Sequence, residues 1–484
     1  MMLGSVESPR RAGPVVARCL IALIVAASIA FATLAPAGAA GSARPAAPAA
    51  KPYFSVAENY TIRYYPRFMT YFQQRLSGVN RIAGPNRVGP LYGFVVSINV
   101  DTIYSSFYLD LSQGPQIFTI PKTDVTYSLL TLDVFGDVFK TNIQPQTPGT
   151  YGLVPAGFTG TLPPGVTEVQ VPYPLTTWII RADKYKGTQN EISEANAFRD
   201  SLKLASLAAY EKDHAAGATQ ILPLRSYAPR AKAIADAAVE SHTTAFFRAL
   251  QVALSSHTTA PLSASDRRLS SAFNTVFAAA NEAARHGNNQ PLAVLIAAAR
   301  AAHAMIINRF ESNVDQNQWV YFDDIAAWGT NYLDRAATTE FLEFSNNATT
   351  SGYYSAFTDG RGASLDGSSH VYRLTFSTNE NAPEGAIPDA QRFWSLTAYM
   401  PRGMTLVPNA ARKYLVASYT KTQKSSDGSI TLYIQASPPA GHRANWLPVP
   451  RGPFSLVLRV YGPTGNTSPG SKYIPPRIMA SSRP

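Results

Sequence analysis

A double change of hydrophobic period constrains this 484-residue chain more than any other feature. Between about residues 91 and 186, short runs alternate apolar and polar side chains between Gly and Pro: LYGFVVSINV, TIYSSFYLDL, PQIFTIP, YSLLTLDVF and TTWIIRADKY. A period of two punctuated by turn formers predicts antiparallel strands. From Glu191 to Phe344 the pattern becomes Ala-rich and helical, as in SASDRRLSSAFNTVFAAANEAARHG and PLAVLIAAARAAHAMIINRF. Ser263 or Ser265 is placed to cap the first of these, Gly287 to stop it, and Pro291 to open the second. From Tyr353 strands return, as HVYRLTF, RFWSLTAYM, SITLYIQA and PFSLVLRVYGP. In the last, Phe454, Leu456, Leu458 and Val460 share one face, and Ser455, Val457, Arg459 and Tyr461 the other. The chain therefore reads as α+β and multidomain. Two antiparallel β-sandwich or jelly-roll-like domains, 53–187 and 346–484, flank an Ala-rich helical block, 188–345. SVAENYTIRYYPRFMTYFQQRL predicts an amphipathic helix that Pro66 kinks or divides.

The first 40 residues have the order of an export signal: Arg10, Arg11 and Arg18, the apolar run Leu20 to Leu34, then APAGAA. Retention as an N-terminal anchor is the alternative. GSARPAAPAAKP, within a stretch taken as 41–52, reads as an Ala/Pro-rich tether. No later apolar run is long enough for a second span. The expectation is a secreted or cell-envelope protein. The single cysteine, Cys19, falls within the signal, so the mature chain forms no disulfide. The net charge is +11, and residues 361–484 concentrate the excess, with ten Arg and four Lys against three Asp and two Glu. A basic C-terminal domain favours an anionic envelope polymer or glycan as partner; an ordinary Arg-rich surface gives the same count. No nucleic-acid, nucleotide, zinc or haem motif is present, nor the G-x-S-x-G elbow of α/β-hydrolases.

Several stretches carry a family resemblance. Tyr64-Tyr65-Pro66, NVDTIYSSFYLDLSQGP, YSLLTLDVFGDVF and YPLTTWIIR resemble the bacterial domain of unknown function 1254. GTNYLDRAA, the LDG turn at Leu365 to Gly367, FWSLTAYM, DGSITLYIQ, NWLPVPRGPF and LRVYGP resemble the domain of unknown function 1214. The resemblance implies two β-rich domains with helices between them and assigns no activity. KTNIQPQTPGTY after Phe139 departs from the Gly/Thr-rich turn of relatives, and the helical middle is long for the family.

Three acids are the catalytic and metal-binding candidates. Asn99 and Asp101 stand where the row Ile103, Ser105, Phe107, Leu109, Leu111 runs out, at the mouth of a sandwich. Asp101 is either a ligand or a residue satisfied by a turn or an Arg. Asp133 and Asp137 flank Gly136. If the Asp101 and Asp133 strands are neighbours, the three form an oxygen-rich cluster that suits Mg²⁺ or Ca²⁺. Asn99 and Tyr104, with Arg373, Arg392 and Arg412, are candidates for binding a ligand. Asn445 and Trp446 offer an amide and a stacking ring, or simply a sealed sandwich edge. The leading expectation is a binding protein for an anionic or glycan-like ligand. The alternative is a metal-assisted hydrolase, and the sequence does not decide whether the chain is an enzyme.

Overall fold

The computed structural model describes residues 50–255, 262–379 and 384–482. The expected signal with Cys19, and most of the tether, lie outside them. Helix α1 (Ala50–Ser77) runs unbroken through Pro66. A mid-helix proline costs about 3 kcal/mol. Here Tyr60, Tyr64, Tyr65, Phe68 and Met69 around it are all buried, and each large apolar side chain removed from water contributes roughly 1.5–3 kcal/mol. Packing therefore outweighs the proline.

Two sheets form the N-terminal β region. The first contains β1 (Ala83–Pro85), β2 (Thr102–Asp110), β4 (Tyr127–Leu132), β7 (Leu175–Asp183) and β11 (Gln220–Leu222), in the order β11–β1–β2–β7–β4. The second contains β3 (Gln116–Ile120), β5 (Gly149–Pro155), β6 (Thr167–Val171) and β10 (Lys203–Ser206), in the order β10–β3–β5–β6. Phe107, Leu109, Phe118, Leu153, Trp178 and Ile180 fill the space between them. The core face read from the period of β2 is thus the face that packs. A short hairpin, β8 (Tyr185–Lys186) with β9 (Gln189–Asn190), leads to helix α2 (Ile192–Ser201), and α3 (Leu207–Lys212) follows β10.

LYGFVVSINV is not a strand. Residues 91–100 form turns and irregular backbone, buried from Val96 to Val100. Both faces of this segment are covered, so its alternation reports burial rather than a ladder. The backbone groups find partners elsewhere, as buried ones must. The Ser97 N–H donates to the Met404 carbonyl at 3.1 Å, and the Tyr399 hydroxyl to the Ile98 carbonyl at 2.8 Å.

The helical block comprises α4 (Ala231–Glu240), α5 (Thr243–Ser255), α6 (Ala264–Arg285), α7 (Gln290–Glu311) and α8 (Tyr332–Leu342). Ser263, not Ser265, caps α6, in a reciprocal box with Asp266. Contrary to expectation, α7 has the length and composition of a membrane-crossing helix. One stripe of it, Leu295, Ala298, Ala299, Ala302, Ile306 and Phe310, is buried in the protein core, at the spacing of a helix packed on one side.

The C-terminal β region is again two sheets. One contains β12 (Ser351–Ala356), β14 (Ala390–Met400), β15 (Thr405–Leu406), β16 (Leu415–Ala417) and β19 (Ser455–Pro463). Its order is β12–β19–β14–β15, with β16 also on β14. The other contains β13 (His370–Phe376), β17 (Ile430–Gln435), β18 (Trp446–Pro448) and β20 (Met479–Ser482), in the order β18–β17–β13–β20. Phe454, Leu456, Leu458 and Val460 fill this sandwich, as their period implied. Their alternates on β19 face the N-terminal region. Pairing is antiparallel apart from the short pairs β1–β11, β5–β6 and β17–β18. The α+β architecture, with helices between two β regions, is the one read from the sequence.

Candidate functional site

Where the two β regions meet, β2 and β7 from one side and β19 from the other line a cavity of about 40 Å³. Segments 92–99 and 342–345 close it. The strand period decides which side chains arrive there. Trp178, Ile180 and Ala182 of β7 enter the sandwich core, so Thr177, Ile179 and Arg181 point the other way, into the cavity. By the same alternation β19 contributes Arg459 and Tyr461.

Arg181 and Arg459 are both buried, at 5% and 2% exposure. Neither has a carboxylate within 4.0 Å among the described residues. Arg181 donates from Nη2 to the Phe344 carbonyl at 2.8 Å and from Nη1 to Asn346 Oδ1 at 3.4 Å. Arg459 donates from Nη2 to the Ser97 carbonyl at 2.6 Å. Arg181 Nε and Arg459 Nη1 are buried without a partner. Each guanidinium is therefore held by a backbone carbonyl and by the hydroxyl of a neighbouring tyrosine, Tyr104 for Arg181 and Tyr399 for Arg459, and keeps one N–H unbonded. Phe344 and Ser97, which supply those carbonyls, both have left-handed backbone, at φ 57° and 52°. A non-glycine residue is strained there, and such strain persists where the surroundings enforce it.

Tyrosine rings lie beside both guanidiniums. The Arg181 guanidinium lies 5.4 Å from the centre of the Tyr104 ring, and that of Arg459 lies 5.5 Å from Tyr399. Asn99 Nδ2 donates to the Tyr461 hydroxyl at 2.9 Å, which leaves that hydroxyl's own proton to give. Burial works to lower both arginine pKa values, and the oxygens of neighbouring tyrosines raise them above the ordinary value. Both guanidiniums stay charged. Among the described residues, Glu343 is the one carboxyl in this wall; burial holds it up, to about 8.

Of the residues singled out from sequence, Asn99 and Tyr104 line this cavity. Asp101 sits at the junction of the two β regions, where its carboxylate accepts from Ser395 at 2.7 Å and from Tyr419. Burial raises its pKa and those two hydroxyls oppose the rise. Asp133 caps its own turn, accepting from the N–H groups of Phe135 at 2.8 Å and Asp137 at 3.0 Å, while Gly136 takes φ 93°. Asp137 pairs with Arg335 at 3.3 Å. The structure does not bring the three acids together. β7 lies between the strands of Asp101 and Asp133. Thr102 pairs with Asp183 and Leu132 with Thr177, so the two acids stand at opposite ends of β7, roughly 20 Å apart at strand rise.

The remaining candidates lie elsewhere. Arg392 grips Asp183, with Nε donating to Oδ2 at 2.9 Å. Arg373 is exposed over the Tyr433 ring, and Arg412 is exposed at a turn. Asn445 is spent on the backbone of Gln423 and Thr431. Trp446 is buried, its indole N–H donating to the Gln435 carbonyl at 2.7 Å. The group of acid and imidazole atoms that does converge, among the described residues, is Asp236, His303 and Glu340. An internal cation already serves it: the Lys232 ammonium contacts Glu340 and lies 3.2 Å from Asp236.

Sequence reasoning missed Arg181 and Arg459. The available signal was a lone Arg inside an apolar run in each of two strands, WIIRA and LVLRVY. An Arg at such a position is buried and needs a specific partner.

These features define a protein of two β regions joined by helices around a shared, positively charged cavity. Residues 79–206 match the model described as Protein of unknown function (DUF1254), and residues 350–465 that described as Protein of unknown function (DUF1214). The chain belongs to the family that pairs these two domains, in this order. The crystal structure of the VPA0106 protein from Vibrio parahaemolyticus is similar in fold, with a TM-score of 0.58 at 17% identity, over 89% of this chain and 100% of that one. An uncharacterised protein from Burkholderia cenocepacia aligns with a TM-score of 0.41 at 13% identity, over 90% of this chain and 94% of that one. No curated protein matches the chain.

Proposed function

We propose that the protein binds a small anion in the cavity between its β regions, held by Arg181 and Arg459. One observation carries this reading: two buried guanidiniums line one cavity, each with a free N–H and neither with a carboxylate in contact. An unpaired buried charge costs several kcal/mol. An oxyanion between the two would offset that cost and accept both free N–H groups, an arrangement guanidinium geometry favours. At about 40 Å³ the cavity has room for an anion the size of a few waters, such as sulfate, phosphate or a short carboxylate. The cavity favours a small molecule, or the terminus of a chain, over the body of an envelope polymer. With the signal expected at residues 1–40, the ligand is one met outside the cytoplasm. The metal-assisted alternative drew on three acids that the fold holds apart, and no observation favours it.

A thermal-shift series at constant ionic strength tests the proposal. Sulfate, phosphate and small mono- and dicarboxylates are added to wild type and to Arg459→Met. At least one anion should raise the wild-type melting temperature and leave the variant unmoved. Equal shifts in the two proteins, or none in wild type, would count against it.

A further inference from the structure

We infer that the ligand is an organic acid with an apolar body: its carboxylate sits between Arg181 and Arg459, and its body passes Ser106 into a second pocket that opens to solvent. This rests on the anion-binding reading above and names its ligand class. The cavity itself is shut. Among the described residues that line it, all are buried except Val95 and Ser106, which are half-buried. Ser106 also lines a neighbouring pocket of about 250 Å³, and Phe94 and Tyr108 line both spaces. The smallest side chain of this shared wall is thus the one left partly uncovered.

The sheet lays out the path. Phe107 and Leu109 of β2 enter the sandwich core, so Tyr104, Ser106 and Tyr108 form a row on the other face. Tyr104 pairs with Arg181 of β7. Ser106 lies two residues further along, about 7 Å at strand rise. It pairs with Ala83 of β1, which pairs in turn with Gln220 of the edge strand β11. The second pocket lies over this edge. Leu76, Leu222 and the rings of Phe94 and Tyr227 give it apolar walls, the two rings set edge to face with centres 5.9 Å apart. Its rim is polar and exposed, with Ser77, Arg81, Gln220 and Ser226. A charged cavity of about 40 Å³ takes the head of an acid and leaves no room for its body. The apolar pocket beyond Ser106 supplies that room.

Sulfate, butanoate, hexanoate and octanoate are the probes, in calorimetric titrations of wild type, Leu222→Trp and Arg459→Met at neutral pH. Butanoate stays within the cavity, and octanoate reaches past Ser106. Each methylene moved out of water is worth roughly fourfold in affinity, so octanoate should bind wild type at least about tenfold more tightly than butanoate. Sulfate should displace it. Leu222→Trp fills the second pocket and should bind octanoate no more tightly than butanoate. Arg459→Met should bind neither sulfate nor octanoate. The length series and the displacement use wild type alone, so they decide the matter even where a variant fails to fold. Sulfate binding without a gain along the series, a gain that survives in Leu222→Trp, or octanoate that sulfate does not displace overturns the ligand class and leaves the anion site standing. Sulfate binding absent from wild type, or retained by Arg459→Met, overturns the anion site and the ligand class with it.

Discussion

Ser395, in the middle of β14, donates a 2.7 Å hydrogen bond to Asp101 at the mouth of the N-terminal sandwich. Tyr419 donates to the other carboxylate oxygen and stacks on Tyr185, with ring centres 4.2 Å apart. Arg392 on the same strand as Ser395 grips Asp183. The two β regions are therefore joined through buried polar groups, and the cavity lies beside this joint. Replacing Asp101 with Ala strands two buried hydroxyls and removes a charge that acts on Arg459 from beyond contact distance. The expected loss is about 2–4 kcal/mol of unfolding free energy, read from urea denaturation. Chelator should leave the melting temperature of the wild type unchanged, since Asp101 stands apart from Asp133 and Asp137.

Arg181 and Arg459 should behave oppositely. Replacing a buried charge that lacks a partner with an apolar side chain of similar volume is often neutral or stabilising. Arg459→Met and Arg181→Met should thus fold, with stability in the absence of anion unchanged or raised by about 1–2 kcal/mol. Both should lose any stabilisation by anions. A cooperative loss of several kcal/mol in either variant would assign that arginine to the framework.

Stability should also depend on pH in a defined sense. The Glu343 carboxyl is raised from 4.5 to about 8, and that of Asp133 from 3.8 to about 6, burial being the main cause for both. Between the unfolded and folded values, the folded state carries the proton and the unfolded state does not. Stability then falls as pH rises, from about 4 to 6 for Asp133 and from about 4.5 to 8 for Glu343. Glu343→Gln should remove the second component and be more stable than wild type at pH 8, by on the order of 1–3 kcal/mol. Denaturation curves at a series of pH values measure the difference.

Lys232 offers a contrast with the cavity arginines, because its charge is already matched. Its ammonium contacts Glu340, which is fully buried, and Asp236. Lys232→Met would leave Glu340 without its cation and should cost about 3–5 kcal/mol. Chemical denaturation reads this directly.

The sequence made the strands legible wherever one face met a core and the other did not look random. The split of β19 into Phe454, Leu456, Leu458, Val460 and Ser455, Val457, Arg459, Tyr461 is the split the structure uses. Period also placed Asn99 and Asp101 beyond the end of the β2 core row. It failed at LYGFVVSINV, where alternation arises from burial between two β regions, and at Pro66, where packing overrides a local helix breaker. The cavity was not legible because its two arginines lie far apart in sequence, on strands whose outer faces meet only in the folded protein. A period tells which face a residue occupies and not what that face will meet. The same gap made Asp101 and Asp133 look able to converge, since nothing local shows that β7 separates their strands.

The most direct test of the anion site is an anomalous-diffraction map of crystals soaked in bromide. A bromide ion is expected in the cavity, within contact of Arg181 Nε and Arg459 Nη1, and is expected to be absent from Arg459→Met crystals. Bromide bound only on the outer surface, with water alone between the two guanidiniums, would contradict it.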